Sequence, residues 1–256
     1  MNGNRKKLMA IVLMLMINAV SQGRIKLVAL PERAATVIRL DNPRATLIEE
    51  ERVLTLQKGL NKVDFSWKAV SIDADSIRLA ALDHPGNVTL LNVSYPPNEA
   101  ALVWEISSEG DYAEKVRISY LLSNIDRLIT YKAIADKGET AVDLKSYLVL
   151  RNFSGEDFDE ARVLLDYGES FEQGIDHEET KRMLFLKKPE VPIVKVWKWN
   201  SNMPWDPDQL NNTNVGIPVS YRIVNDKKSN LGEYAMWGGK ARLFQDDGHE
   251  STIFLG

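Results

Sequence analysis

The chain has 256 residues, 44% of them hydrophobic, with a formal net charge of −4 and a pI near 5.6. That is enough chain and apolar content for one large or two small domains with a buried core, and it offers no basic field to hold a nucleic-acid backbone. There is no cysteine, which excludes disulfides, thiolate catalysis and cysteine-ligated zinc.

Arg5, Lys6 and Lys7 precede the apolar run at 8–17, LMAIVLMLMI, and Ala19-Val20-Ser21 supplies small residues for cleavage. This is the pattern of a secretory signal peptide, read as a helix within residues 1–23. A transmembrane helix needs about twenty apolar residues. No later stretch approaches that length, so a membrane is reached only through an uncleaved signal segment. The segment implies an exported chain.

A first β module is expected over residues 24–108. Residues 35–40 read as a short strand, ended by Asp41-Asn42-Pro43. Residues 46–56, TLIEEERVLTL, are ambiguous, because the glutamates suit a helix and the ends suit a strand. Lys58-Gly59-Leu60-Asn61 reads as a turn, with a return strand at 62–65. Residues 76–82 and 87–95 read as a strand pair around Asp83-His84-Pro85-Gly86. Residues 102–106 form one more strand, and Glu109-Gly110-Asp111 is read as the boundary to a second module, 109–256.

In that module Val116, Ile118, Tyr120 and Leu122 alternate with Arg117, Ser119 and Leu121, the period of a half-buried strand. Residues 128–136 follow, then a Lys137-Gly138-Glu139 turn. Residues 145–152, KSYLVLRN, are apolar on both faces and suit a central strand. Strands are also expected at 161–166, 184–186 and 193–199, then a loop at 200–214. Three strands close the chain, at 219–223, 240–245 and 252–255. Asp246-Asp247-Gly248 is read as a tight hairpin turn between the last two. The ending on Phe254-Leu255-Gly256 has no polar tail, and an unblunted apolar strand is a rare domain end. A cut from a longer protein is the expectation. Short strands with turns every eight to twelve residues make the fold class all-β, as antiparallel β-sandwich modules.

Several of these residues resemble a known pattern. They are Ile118-Ser119-Tyr120-Leu121, then Asn152 with Ser154-Gly155-Glu156-Asp157-Phe158. Near the end come Asn225, Leu231-Gly232 and Gly239-Lys240-Ala241-Arg242-Leu243-Phe244, and the early QKGLNKVDF belongs with them. Together they resemble the mucoidy inhibitor A-like family of exported bacterial proteins, whose shared C-terminal domain has no established reaction. The resemblance covers most of the chain after the signal segment and implies an exported, β-rich envelope protein. Two features depart from it. Longer members carry a coiled coil before this domain, and no such pattern occurs here. An aromatic after the first strand pair is replaced by Asp126-Arg127.

No nucleophile elbow, phosphate loop, dinucleotide fingerprint or metalloprotease motif is present in the sequence. No catalytic, cofactor or metal site is therefore expected, and the chain is read as non-catalytic. His84, His177 and His249 each fall in a polar turn. Asp246, Asp247, His249 and Glu250 could ligate a cation, but their spacing matches no calcium loop and a solvated turn is preferred. Asp176, His177, Glu178 and Glu179 read as a solvated acidic loop. Glu156 and Asp157 could serve as a glycosidase pair, but adjacent strand residues point to opposite faces. Asn152, Ser154, Gly155, Glu156 and Asp157 are read as a structural loop, with Gly155 at φ > 0.

Trp197, Trp199 and Trp205 carry the sharpest functional hint. Trp197 and Trp199 share one strand face. Exposed indoles stack on sugar rings, and buried ones fill a core. A core or domain-interface role is preferred. The function expected is a binding or assembly module whose partner is an envelope protein or a glycan. The alternative is a glycan-binding or glycan-cleaving module using these tryptophans and nearby acids.

Overall fold

The computed structural model describes residues 26–42, 44–165, 170–198, 219–233 and 235–256. The signal segment, Trp199, Trp205 and the loop at 200–214 lie outside the described residues. Among those described, the fold is all-β, with two single-turn 3-10 segments at Ala74–Ser76 and Lys227–Ser229.

β1 (Lys26–Val28) and β2 (Ala35–Arg39) precede β3 (Thr46–Leu56), which is one eleven-residue strand. The glutamate run lies inside it. Thr46, Ile48, Glu50, Leu54 and Leu56 are buried, a period of two. The outward glutamates find cations across the strands, Glu49 with Arg39 at 3.3 Å and Glu51 with Arg117 at 2.7 Å. Local helix preference yields to that pairing. β4 (Gly59–Ser66) begins at a glycine with φ +97°. The buried Asn61 side chain closes the turn, accepting from the Gln57 N–H at 3.0 Å and donating to the Gln57 carbonyl at 2.7 Å.

β5 (Arg78–Ala81) and β6 (Val88–Ser94) flank the Pro-Gly turn without pairing as a hairpin. β6 lies beside β7 (Ala101–Ser108), and β5 lies beside β8 (Tyr112–Leu122) in another sheet. Glu114 on β8 explains the divergence. Its side chain is wholly buried. One carboxylate oxygen accepts from the N–H groups of Asp83 at 3.0 Å and His84 at 3.1 Å. The other meets His84 Nδ1 at 2.7 Å, and the imidazole stacks on Tyr112 at 4.3 Å. The turn is thus tied to β8.

Burial alone would raise the Glu114 carboxyl, but the His84 N–H, the His84 ring and the Asp83 N–H outweigh it and hold it below the ordinary 4.5. A depressed carboxyl contributes stability that is present in full above 4.5 and is lost as pH falls through the lowered folded value. Glu114→Gln should therefore melt below the parent at neutral pH, with the gap closing in acid. A gap that stays constant across that range would refute the assignment.

β9 (Ile125–Ala135) and β10 (Ala141–Asn152) pair in regular antiparallel register. β11 (Arg162–Leu164) and β12 (Ser170–Glu172) are short. β13 (Thr180–Trp197) runs for 18 residues, where the sequence suggests two strands. Pro189 and Pro192 lie between the two expected strands, yet the ladder survives by a bulge. Asp143 opposes both Pro189 and Glu190, between the pairs Val142↔Val191 and Leu144↔Lys188. Glu190 takes φ +52° and donates its N–H to Asp143. A proline is tolerated where no ladder hydrogen is required. β14 (Val219–Ile223), β15 (Lys240–Asp246) and β16 (Thr252–Phe254) complete the set.

The sheet orders are β1-β4-β7-β6, β14-β13-β10-β9-β15-β16 and β12-β11-β2-β3-β8-β5. β10 is central in its sheet, as its sequence suggests, although one face is buried and the other half-buried. Parallel pairs occur among the described residues, β1 with β4, β11 with β2 and β15 with β9, a mixture that alternation alone does not reveal.

Contacts divide the chain into two compact units. One holds residues up to 34, Glu51–Lys68 and Arg78–Ile118, and the other holds Ala35–Glu50, Ala69–Ile77 and Ser119–Gly256. β3 and β8 each contribute residues to both. In the first unit Phe65 lies 5.5 Å from Trp104 in the interior. In the second, Ala135, Val142, Leu144, Val191 and Ile193 form a buried cluster, with Tyr221 and Ile223 packed against it.

Candidate functional site

The residues at 152–157 form a closed polar knot. Asn152 and Ser154 are wholly buried. Asn152 Nδ2 donates to the carbonyls of Glu156 at 2.6 Å and Ile175 at 3.2 Å. Asn152 Oδ1 accepts from Ser154 N at 3.1 Å and Ser154 Oγ at 2.6 Å. Gly155 has φ +89°. Its N–H donates to His177 Nδ1 at 3.1 Å, and the His177 N–H donates to Asp157 Oδ1 at 2.7 Å. The knot and the acidic turn at 176–179, read separately in the sequence, are therefore one structure. Glu179 bonds the Asp176 N–H within that turn and pairs with Lys181. These groups satisfy one another and the backbone, which makes the knot a scaffold.

The Asp246-Asp247-Gly248 segment departs from the expected two-residue turn. Asp246 pairs with Thr252, so five residues form the loop. Asp246 Oδ1 accepts from Gly248 N, and Asp247 Oδ1 accepts from the N–H groups of His249 and Ser251. Side-chain acceptors lengthen the loop by offering its amides an alternative to the ladder.

Two hollows bear on ligand binding. An apolar one beside Tyr131, Leu186, Leu231 and Met236 has a volume near 30 Å³, room for a water or two. An open polar cleft of about 410 Å³ is walled by Asn42, Arg44, Asp73, Asn124, Asp126 and Arg127. Several of its walls are already engaged. Asp73 caps the 3-10 turn, Asn124 bonds Ser71, and Arg127 lies 4.0 Å over Trp237.

Trp197 gives the principal correction. It is 62% exposed at the end of β13, not buried in a core. Its strand outruns the buried part of the sheet. Ile193 on the same face is buried, whereas Trp197 pairs with the half-exposed Val219. Trp199 and Trp205 lie outside the described residues.

Around Trp197 stands a cluster that the sequence reading missed. Lys195 projects from the same face, two residues back, and its Nζ is 5.5 Å from the Trp197 ring centroid. It pairs with Glu139 in the β9–β10 turn, and Tyr221 OH donates to Glu139 Oε1 at 3.0 Å. The Lys-x-Trp spacing was a usable signal. Nothing local in the sequence marks Glu139, 56 residues from Lys195. The hydrogen bond that Lys195 donates to Glu139 holds the Glu139 carboxyl below 4.5 and the Lys195 ammonium above 10.5. Desolvation, then the Glu139 carboxylate, push the Tyr221 hydroxyl upward. The pair is consequently charged across the neutral range.

No family model, curated protein or solved structure matches the chain.

Proposed function

We infer that the chain is a non-catalytic, exported binding module of the bacterial cell envelope, of the mucoidy inhibitor A-like kind. It engages its partner through the Trp197 face. One observation carries this reading: a tryptophan held 62% exposed beside an ordered Lys195–Glu139–Tyr221 cluster. A large exposed aromatic offers apolar area that a partner can bury. Ladder pairing and the Glu139 hydrogen bonds tie its neighbours together, which limits the ordering that binding requires. The charged start and short apolar run support export. Asp157, one of the two carboxylates considered for glycosidase chemistry, instead bonds the His177 N–H.

Two measurements test this. N-terminal sequencing from an expressing bacterium should begin near Gln22 or Arg24, and intact Met1 in soluble cytoplasmic protein would overturn export. The purified chain should sediment with washed envelope fragments, and Trp197→Ala should release most of it while leaving the melting temperature unchanged. Equal retention of the variant would remove Trp197 from the binding face.

A further inference from the structure

We propose that the ligand of the Trp197 face is carbohydrate, a pyranose ring lying on the indole with its hydroxyls turned to the Lys195–Glu139 pair. This rests on the binding-module reading and adds the ligand's chemical class. The area decides first. A tryptophan presents up to roughly 250 Å², so 62% exposure leaves roughly 150 Å² of indole in water. A stable protein partner needs about 800 Å² from each side, and among the described residues Val219 is the one flanking apolar residue that the β13–β14 pairing sets beside the indole.

The polar groups agree with this. A sugar has an apolar C–H face rimmed by hydroxyls, each both donor and acceptor. Each Glu139 oxygen has one protein donor, Lys195 or Tyr221, and keeps a lone pair to accept from a hydroxyl. The Lys195 ammonium retains donors beyond the one given to Glu139. The ammonium lies over the indole at 5.5 Å, within cation–π range, so the sugar stacks on the opposite face of the ring. The pair is also neutral as a unit, which suits an uncharged saccharide over a polyanion or an anionic membrane.

Residues 139, 195, 197 and 221 lie in one compact unit. Lys195 and Trp197 are fixed by ladder pairing with Tyr221 and Val219.

The test is saturation-transfer NMR and calorimetry on the full chain with three neutral tetrasaccharides, of glucose in α-1,4 and β-1,4 linkage and of N-acetylglucosamine in β-1,4 linkage. At least one should bind. Trp197→Ala should weaken it by about tenfold or more, the scale of one lost aromatic contact. Trp197→Phe should restore most of the affinity, and Glu139→Gln should weaken binding with the aromatic intact. Melting curves confirm that each variant is folded. If no tetrasaccharide binds while envelope retention still depends on Trp197, the carbohydrate inference fails and the binding-module reading stands. If envelope retention is also absent, both fail. Saccharide binding untouched by Trp197→Ala would also overturn the proposal.

Discussion

Gly155→Val is expected to destabilise the protein by about 4 kcal/mol, the sum of left-handed backbone strain and overpacking against fixed atoms. At about 2–4 °C per kcal/mol for a domain of this size, the melting temperature should fall by about 10 °C. Two independent features produce the effect. Gly155 sits at φ +89°, where a side chain is strained whatever the available space. A Cβ there would stand 2.0 Å from the Ala69 carbonyl oxygen and 3.2 Å from Val70 Cα. That neighbouring backbone cannot retreat freely. The Ser71 N–H donates to the Ser154 carbonyl at 2.8 Å, and the Ser71 carbonyl accepts from Ser123 at 2.9 Å. Because the clash belongs to Cβ, Gly155→Ala should share most of the loss, which keeps the test informative if the valine variant does not accumulate. Asp157→Ala removes one exposed acceptor from His177 and should cost about 1 kcal/mol. A Gly155→Val melt within about 2 °C of the parent, less than one kcal/mol of effect, would show that the close approach is not real.

That loop was legible because its requirements are local. A glycine between two strands, beside residues that bond backbone amides, describes the same turn in sequence and in structure. The strands were legible for the same reason, since period two is a property of neighbours. Partner choice was not. β5 and β6 look like a hairpin until Glu114, about thirty residues away, claims the amides of the turn between them. β13 reads as two strands in the sequence, and the bulge opposite Asp143 that carries the ladder past Pro189 and Pro192 depends on the partner strand. The exposure of Trp197 was hidden likewise. Its parity with Ile193 follows from the sequence, but the point at which the covering layer ends does not. The Lys195–Glu139 contact joins a turn to a strand 56 residues on, a separation at which local pattern carries no information.

Asn152→Ala should cost about 3 kcal/mol, a few net hydrogen bonds' worth for a buried hub whose partners are left unsatisfied. Truncation abandons the carbonyls of Glu156 and Ile175 and the N–H and hydroxyl of Ser154, at a wholly buried position. Asn152→Asp separates shape from hydrogen bonding. It keeps the volume and the acceptor facing Ser154. It also replaces the NH₂ that served two carbonyls with an acceptor, setting anionic oxygen against carbonyl oxygen. The introduced carboxyl is buried and faces acceptors, so its folded pKa should rise above the unfolded value. A group raised in the fold loses stability as pH climbs and regains it in acid, where the protonated oxygen can donate to one of the carbonyls. Asn152→Asp should therefore approach the parent's stability as pH falls, whereas Asn152→Ala should not. Ser154→Ala removes the hydroxyl that donates to Asn152 and accepts from Glu156. Combined with Asn152→Ala, it should cost less than the sum of the two, because both changes break one network. Denaturant titrations of the three variants and the double variant across pH measure each of these quantities. An Asn152→Ala cost below about 1 kcal/mol, or an Asn152→Asp deficit that does not shrink in acid, would mean that water or a shifted backbone takes over the bonds now assigned to Asn152.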